Sequence, residues 1–416
     1  MNLLKAPFVR FLQWSEQYTK TDMNYLARGG SWLLAGYVLQ IATGLILSVA
    51  FANILPKQAY GTYQFILSLI AIVSIFTLTG IGSAIARATA SGSEHALPYG
   101  FQTQLRWSIG IVFVSWSLAT YYILQDNTTL GLALIAIGLF QPLIIGFGLY
   151  KWYLQARGLF RQNVLLESTQ RLVPFVSVFV ALFYTQNPLL IIIVFLVSSA
   201  ISLGLAYTYT VIRYRLTYTD DPSLQQYGKH LSVMESMAEI AGTADKALVW
   251  VFLGATPLAT YALALLPVTH LQSIFGLVHS LAFPKMVKRG FDELKHSLPL
   301  KIVRYFSLIG LLVTAYILAA PTLFALLFPA YPEAVIYTQV LALALLATPR
   351  GLIRQAFTAH EKKRELYITS ISIPVVRLLL LVALVPGFGI WGVIAAILIT
   401  ETFGAMLLGV LFARAR

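Results

Sequence analysis

The chain has 416 residues, of which 58% are hydrophobic and 11% charged, with a mean hydropathy of +0.77. Soluble domains carry about 45–50% apolar and about 25% charged residues, so too little polar surface remains here to coat a water-soluble fold, and soluble enzymes, nucleic-acid binders and disordered scaffolds are excluded. The net charge is +13 with no cysteine, which removes disulfides, thiolate zinc sites and cysteine nucleophiles from consideration and suits a prokaryotic inner membrane.

Residues 1–27 are too polar for a cleavable signal peptide. Leu3, Leu4, Phe8, Phe11 and Leu12 recur at helical spacing with Lys5 and Arg10 between them. That pattern predicts an amphipathic helix lying in the membrane interface. Twelve apolar stretches follow, at 29–54, 62–86, 107–124, 130–153, 164–184, 189–212, 232–254, 257–282, 302–328, 334–357, 366–385 and 390–412. Each approaches the roughly 20 residues needed to cross a bilayer. Spanning segments of this kind must be helices, because open strands leave backbone groups unpaired in lipid.

Basic residues set the orientation. Lys5, Arg10, Lys20 and Arg28 precede the first span, and nearly all the others fall in the loops after even-numbered spans. The opposite side holds Lys57, while Arg171, Lys246 and Arg377 lie inside spans. Both termini are therefore expected in the cytoplasm. The outer loops are short and offer only Asp126 and Glu333 as carboxylates, which disfavours a membrane-embedded glycan enzyme. Asp220-Asp221-Pro222 reads as a solvated turn, and no Gly-x-x-x-x-Gly-Lys-Ser/Thr loop is present for nucleotide hydrolysis.

An internal repeat is visible. Phe51, Pro56 and Tyr60 correspond to Phe252, Pro257 and Tyr261, and Lys151, Ala156 and Arg161 to Arg354, Ala359 and Arg364, at nearly the same displacement. Two parallel halves of six spans imply a pseudo-two-fold axis along the membrane normal, with a substrate site between them. The expected division is 1–27 interfacial segment, 28–213 first lobe, 214–231 linker, 232–413 second lobe and 414–416 terminus. Arg171-x-x-Pro174 in span five and Pro374-x-x-Arg377 in span eleven place an arginine one turn from a proline in each half.

Charges inside the bilayer cost at least about 2.5 kcal/mol each and need a partner or a wet cavity. Glu167 and Arg171 are spaced to pair at i, i+4. Arg377 has no carboxylate within a turn, which leaves Glu401 in span twelve or a substrate anion. In span seven, Glu235, Glu239, Gly242 and Lys246 form a polar stripe about 60° wide, with Asp245 off it as a charge-pair partner. His270 and His279 point to opposite faces, as isolated polar contacts rather than metal ligands.

The segment Ala52-Asn53-Ile54-Leu55-Pro56-Lys57-Gln58-Ala59-Tyr60-Gly61-Thr62-Tyr63, the run Gly80-Ile81-Gly82-Ser83-Ala84-Ile85-Ala86-Arg87, Gly228-Lys229-His230, and Ala244-Asp245-Lys246 carry a resemblance. The chain resembles the polysaccharide transporter (oligosaccharide flippase) family of the multidrug/oligosaccharidyl-lipid/polysaccharide superfamily. The resemblance implies an all-α polytopic membrane protein, two six-helix bundles forming a V around a central cationic cavity. It also implies translocation of a polyprenyl-diphosphate-linked oligosaccharide from the cytoplasmic to the outer leaflet for cell-surface polysaccharide synthesis. Arg87 and Asp245-Lys246 match its motifs. Arg28, Arg171 and Arg377 join Arg87 and Lys246 as candidate substrate-binding cations by charge and position alone. Glu167, Glu235, Glu239, Asp245 and Glu401 are the charge-pair or ion-coupling candidates, with a proton or sodium as the coupling ion and no metal or other cofactor. The implied partners are membrane lipids and the polymerase or glycosyltransferases of the same process, around a monomer. A multidrug or organic-cation antiporter of the same superfamily, using the acidic groups of span seven, is the alternative.

Overall fold

The computed structural model describes residues 23–415, with side chains described from residue 36 onward except at 230–231, 233–239, 241, 277, 280–281 and 284–285. The expected interfacial helix, at 3–12, lies outside the described residues, as do the side chains of Arg28, Glu235 and Glu239. Among the described residues every regular element is helical. In chain order these are α1 Met23–Ile54, α2 Lys57–Val73, α3 Ile81–Ala90, α4 Ala96–Trp107, α5 Ile109–Leu124, α6 Thr128–Phe147, α7 Tyr150–Ala156 and α8 Phe160–Tyr184. Then come α9 Pro188–Arg213, α10 Pro222–Leu253, α11 Ala255–Val287, α12 Phe291–Leu327, α13 Ala334–Ala342, α14 Arg350–Ala359 and α15 Lys363–Arg414, with a 3-10 turn at Leu343–Ala347.

Nine of the described helical segments are long and apolar enough to cross a membrane. One of them, α15, contains a turn at Gly389 (φ 58°), a conformation that suits glycine, and so supplies spans eleven and twelve. With α2–α3 and α10 the set of twelve is complete, and the chain is a multi-pass membrane protein. Three helices begin earlier than their apolar runs suggest. Residues 96–107 extend span three, 222–231 are already helical, and α12 starts at Phe291. For α10 the reason is local capping. Asp221 accepts the Leu224 N–H with Pro222 at the first helical position, a start signal independent of hydropathy.

Packing reproduces the repeat. Tyr150, Tyr153 and Leu154 lie in a buried cluster under α3, α4 and α9, and Ile353, Ala356 and Phe357, displaced by the repeat interval, lie in a cluster with Leu294, Leu298, Leu408 and Phe412. Tyr60 and Tyr261 are both fully buried. Spans four and ten are also both broken ahead of a short final helix, span four at Gly148–Leu149 and span ten a few residues earlier in the repeat, beginning with the 3-10 turn at Leu343–Ala347. Phe252, however, is 45% exposed where Phe51 is buried; that pair shares sequence but not environment.

The halves meet mainly where α2 packs on α11 and α10. A Cβ on Gly61 would lie 1.9 Å from the Ala255 carbonyl oxygen, so only glycine allows this approach. Large apolar side chains such as Phe113, Leu124, Leu205 and Leu311 point outward, as expected when the surrounding solvent is hydrocarbon.

Candidate functional site

The centre of the molecule holds a chain of polar side chains that joins the halves. Asp245 on α10 is 1% exposed and would be costly there as an isolated charge. Its Oδ2 accepts from the Tyr261 hydroxyl of α11 at 2.6 Å and from Arg377 Nη2 of α15 at 3.1 Å. Its Oδ1 accepts from the Lys246 backbone N–H at 2.7 Å. Lys246 points the other way: its Nζ donates to Gln64 Oε1 at 3.3 Å, and Gln64 Nε2 donates to the Tyr60 hydroxyl at 2.9 Å. The two repeat-matched tyrosines thus sit near opposite ends of one network. Arg377 is the cation paired with Asp245, the Lys246 ammonium being turned to Gln64, and among the described residues Arg377 Nε is buried with no hydrogen-bond partner.

This arrangement corrects the sequence reading of Arg377. Its partner is Asp245, reached across helices, and not Glu401. Glu401 is held instead by Arg350, with Nη2 to Oε2 at 2.7 Å and Nη1 to the Glu401 carbonyl at 2.8 Å. Room for Arg350 comes from Gly404, where a Cβ would lie 2.5 Å from Nη1. Arg350 falls inside the tenth apolar run, 334–357, close to the basic loop that follows it, and sequence spacing gives no sign of a partner 51 positions away.

Glu167 and Arg171 do not form the expected ion pair. Among the described residues neither has a carboxylate or cation partner, and the buried Tyr150 hydroxyl has no hydrogen-bond partner either. Arg171 and Arg377 are therefore not equivalent. The repeat interval carries Asp245 back to Gly44 and its neighbour Thr43 on α1, so the first half has no acid at that place. Arg87, at the end of α3, is exposed and stacks over the Tyr227 ring, 4.6 Å from its centroid. It lines a cleft of about 600 Å³ with Ser91, Ser93, Asp221 and Gln226, away from the central network. His270 and His279 each carry an unpartnered buried Nε2, and among the described residues no group of acids and histidines is placed to hold a metal.

A second set of contacts closes the sparsely charged end of the bundle. Lys57 Nζ meets Glu333 Oε1 at 2.7 Å and stands over the Tyr331 ring, while Thr260 also donates to Glu333 Oε1, at 3.3 Å. Asn53 Nδ2 donates to the Leu327 carbonyl at 2.9 Å. These residues come from both halves. Partial burial alone would raise the Glu333 pKa, but the Lys57 ammonium, its own backbone N–H and the Thr260 hydroxyl together hold it below the ordinary carboxylate value.

The model of the family described as "Polysaccharide biosynthesis protein" matches residues 26–289. The chain belongs to that family. No curated protein matches it. Among solved structures it is similar to the lipid II flippase MurJ in an inward closed conformation, at 14% identity and a TM-score of 0.70, covering 93% of this chain and 87% of that one. It is also similar to a multidrug resistance MATE family transporter of the MOP superfamily in an inward-facing conformation, at 12% identity and a TM-score of 0.66, covering 90% and 96%. A third similar structure is a MOP superfamily transporter from Pyrococcus furiosus with reversed binding-pocket polarity, at 13% identity and a TM-score of 0.61, covering 94% of this chain and 95% of that one. At these identities the likeness establishes the two-lobe fold. Fold alone does not choose a substrate; that choice rests on family membership and on the charges between the lobes.

Proposed function

We propose that the chain is a flippase, not an enzyme, moving a polyprenyl-diphosphate-linked oligosaccharide from the cytoplasmic to the outer leaflet of a prokaryotic inner membrane by alternating access. Both termini then face the cytoplasm, and the end closed by Lys57 and Glu333 faces outward. Glycosyltransferases supply the substrate inside and a polymerase consumes it outside.

The observation that carries this reading is the interlobe network, in which, among the described residues, the cations Lys246 and Arg377 accompany the single carboxylate Asp245. An excess of cations between the lobes of a polysaccharide-family protein suits a diphosphate. Arginine binds its oxygens in a fork and stays charged when desolvated. The hydrophilic head passes between the bundles while the lipid tail stays in the bilayer. With the cell interior negative, outward movement of an anion is favoured by about 2.3 kcal/mol per charge per 100 mV. Of the acids of span seven, Asp245 is already held by Tyr261, Arg377 and a backbone N–H, so an organic-cation antiporter would have to use Glu235 or Glu239.

The test is translocation of a fluorescent polyprenyl-diphosphate oligosaccharide in proteoliposomes. The native chain should be active and Lys246→Ala should lower its rate at least tenfold with folding intact. Absence of translocation, together with proton- or sodium-driven uptake of an organic cation, would replace the flippase with the antiporter.

A further inference from the structure

The first half contains a space that the interlobe network does not use. Span two leaves the helix between Val73 and Ile81, and span four between Phe147 and Tyr150. Irregular backbone within a membrane protein persists only where protein buries it or where it lines a wet cavity. Both breaks open onto one cavity of about 400 Å³, through Ser74, Thr77 and Thr79 on one side and Gly148 and Leu149 on the other. That is the lower part of the range of ligand pockets, about 300–1,000 Å³.

Its polar groups fall into two sets. The hydroxyls are already engaged: Ser74 donates to the Ile70 carbonyl and accepts from Gln141, Thr77 bonds Ser108 and Gln104, and Thr79 donates to the Ser232 carbonyl. They form a fixed wall. Lys151, Trp152 and Gln170 also line the cavity, and their ammonium, indole N–H and amide have no partner among the described residues. Trp152 lies against Gly82, where a Cβ would stand 2.2 Å from the indole nitrogen, so the glycine lets the ring sit in the wall. One positive charge, one aromatic ring and one amide converge on a space with no acidic residue in its lining.

We propose that this cavity binds a monoanionic sugar ring, a hydroxylated pyranose carrying one carboxylate or phosphate. The ring's apolar face lies on Trp152, Gln170 reads its hydroxyls, and Lys151 takes the negative charge. The inference rests on the flippase reading and narrows its cargo to glycans with an acidic residue. Lys151 serves here as a ligand-facing cation, a role separate from its part in setting topology.

Calorimetric titration of the purified full chain in nanodiscs with glucuronate, glucose 1-phosphate, glucose and inorganic phosphate tests it. At least one anionic sugar should bind saturably, tenfold or more tightly than glucose and inorganic phosphate, and the stronger of the two identifies the acidic group. Lys151→Ala should reduce that sugar to the level of glucose, and Gln170→Ala should weaken it about threefold while the protein elutes unchanged. Equal binding of glucose, equal binding of inorganic phosphate, or indifference to Lys151→Ala would each overturn the assignment. Translocation of lipid-linked glycans without this binding would remove the cavity and leave the flippase; binding in a chain that translocates none would do the reverse.

Discussion

Arg377→Gln removes the cation from a carboxylate that is 1% exposed. Breaking a buried ion pair from one side costs about 3–5 kcal/mol, because a charge is stranded. Two features place the expected value at the low end. Asp245 keeps the Tyr261 hydroxyl and the Lys246 N–H, and the Arg377 side chain is itself 21% exposed. A loss of about 3 kcal/mol is expected, measured as equilibrium unfolding in mixed detergent micelles. Asp245→Asn should cost less, about 1–2 kcal/mol, since the arginine can reach water through its exposed edge. The double variant should cost about 1–2 kcal/mol, little more than Asp245→Asn alone, giving a coupling energy near 3 kcal/mol, the upper part of the range for contacting pairs. Additivity of the two single changes, to within about 0.5 kcal/mol, would refute the claim that the pair acts as a unit.

Two further predictions concern closure of the outer end. Glu333 has a lowered pKa in the closed arrangement, so its contact with Lys57 stabilises closure above the ordinary carboxylate pKa and loses that contribution as pH falls through the lowered value. Both side chains are about one-third or more exposed, which limits the effect to about 0–1 kcal/mol. A thiol probe at Ala259→Cys, in a chain with no native cysteine, should label up to fivefold faster from outside at acid pH, and Glu333→Gln should abolish the pH dependence. Gly61→Ala places a Cβ against the Ala255 backbone, a clash of about 1–3 kcal/mol confined to the closed state. It should raise labelling at the same position at all pH values; unchanged labelling would show that the α2–α11 contact does not close the transporter.

The twelve spans were legible because hydrocarbon demands long apolar helices, and the repeat was legible because two halves share one packing scheme. Arg87, Asp245 and Lys246 stood out for similar reasons, as motif positions or as charges among apolar residues. Pairing was a different matter. Asp245 meets Arg377 across 132 positions, and helical spacing carries no information at that range. Glu167 and Arg171 have the right spacing yet do not pair, since i, i+4 spacing permits a contact without fixing the rotamers that make it. Gln64 and Tyr261 were passed over as sites since a neutral amide and a phenol are unremarkable in a span until a buried charge is seen beside them. Trp152 and Gln170 became visible only when the helix breaks enclosed a space.

The exposure of Lys57 and Glu333 has a consequence beyond pH. Mobile ions screen charges over about 10 Å at 0.1 M salt and about 3 Å at 1 M, and this pair is reached by the medium while Asp245 is sealed from it. The outer closure therefore loosens in brine and tightens in dilute water, whereas the central pair keeps its strength in both. On the proposed orientation, a cell passing between fresh and salt environments would change how often this end opens without altering the pairing at the centre.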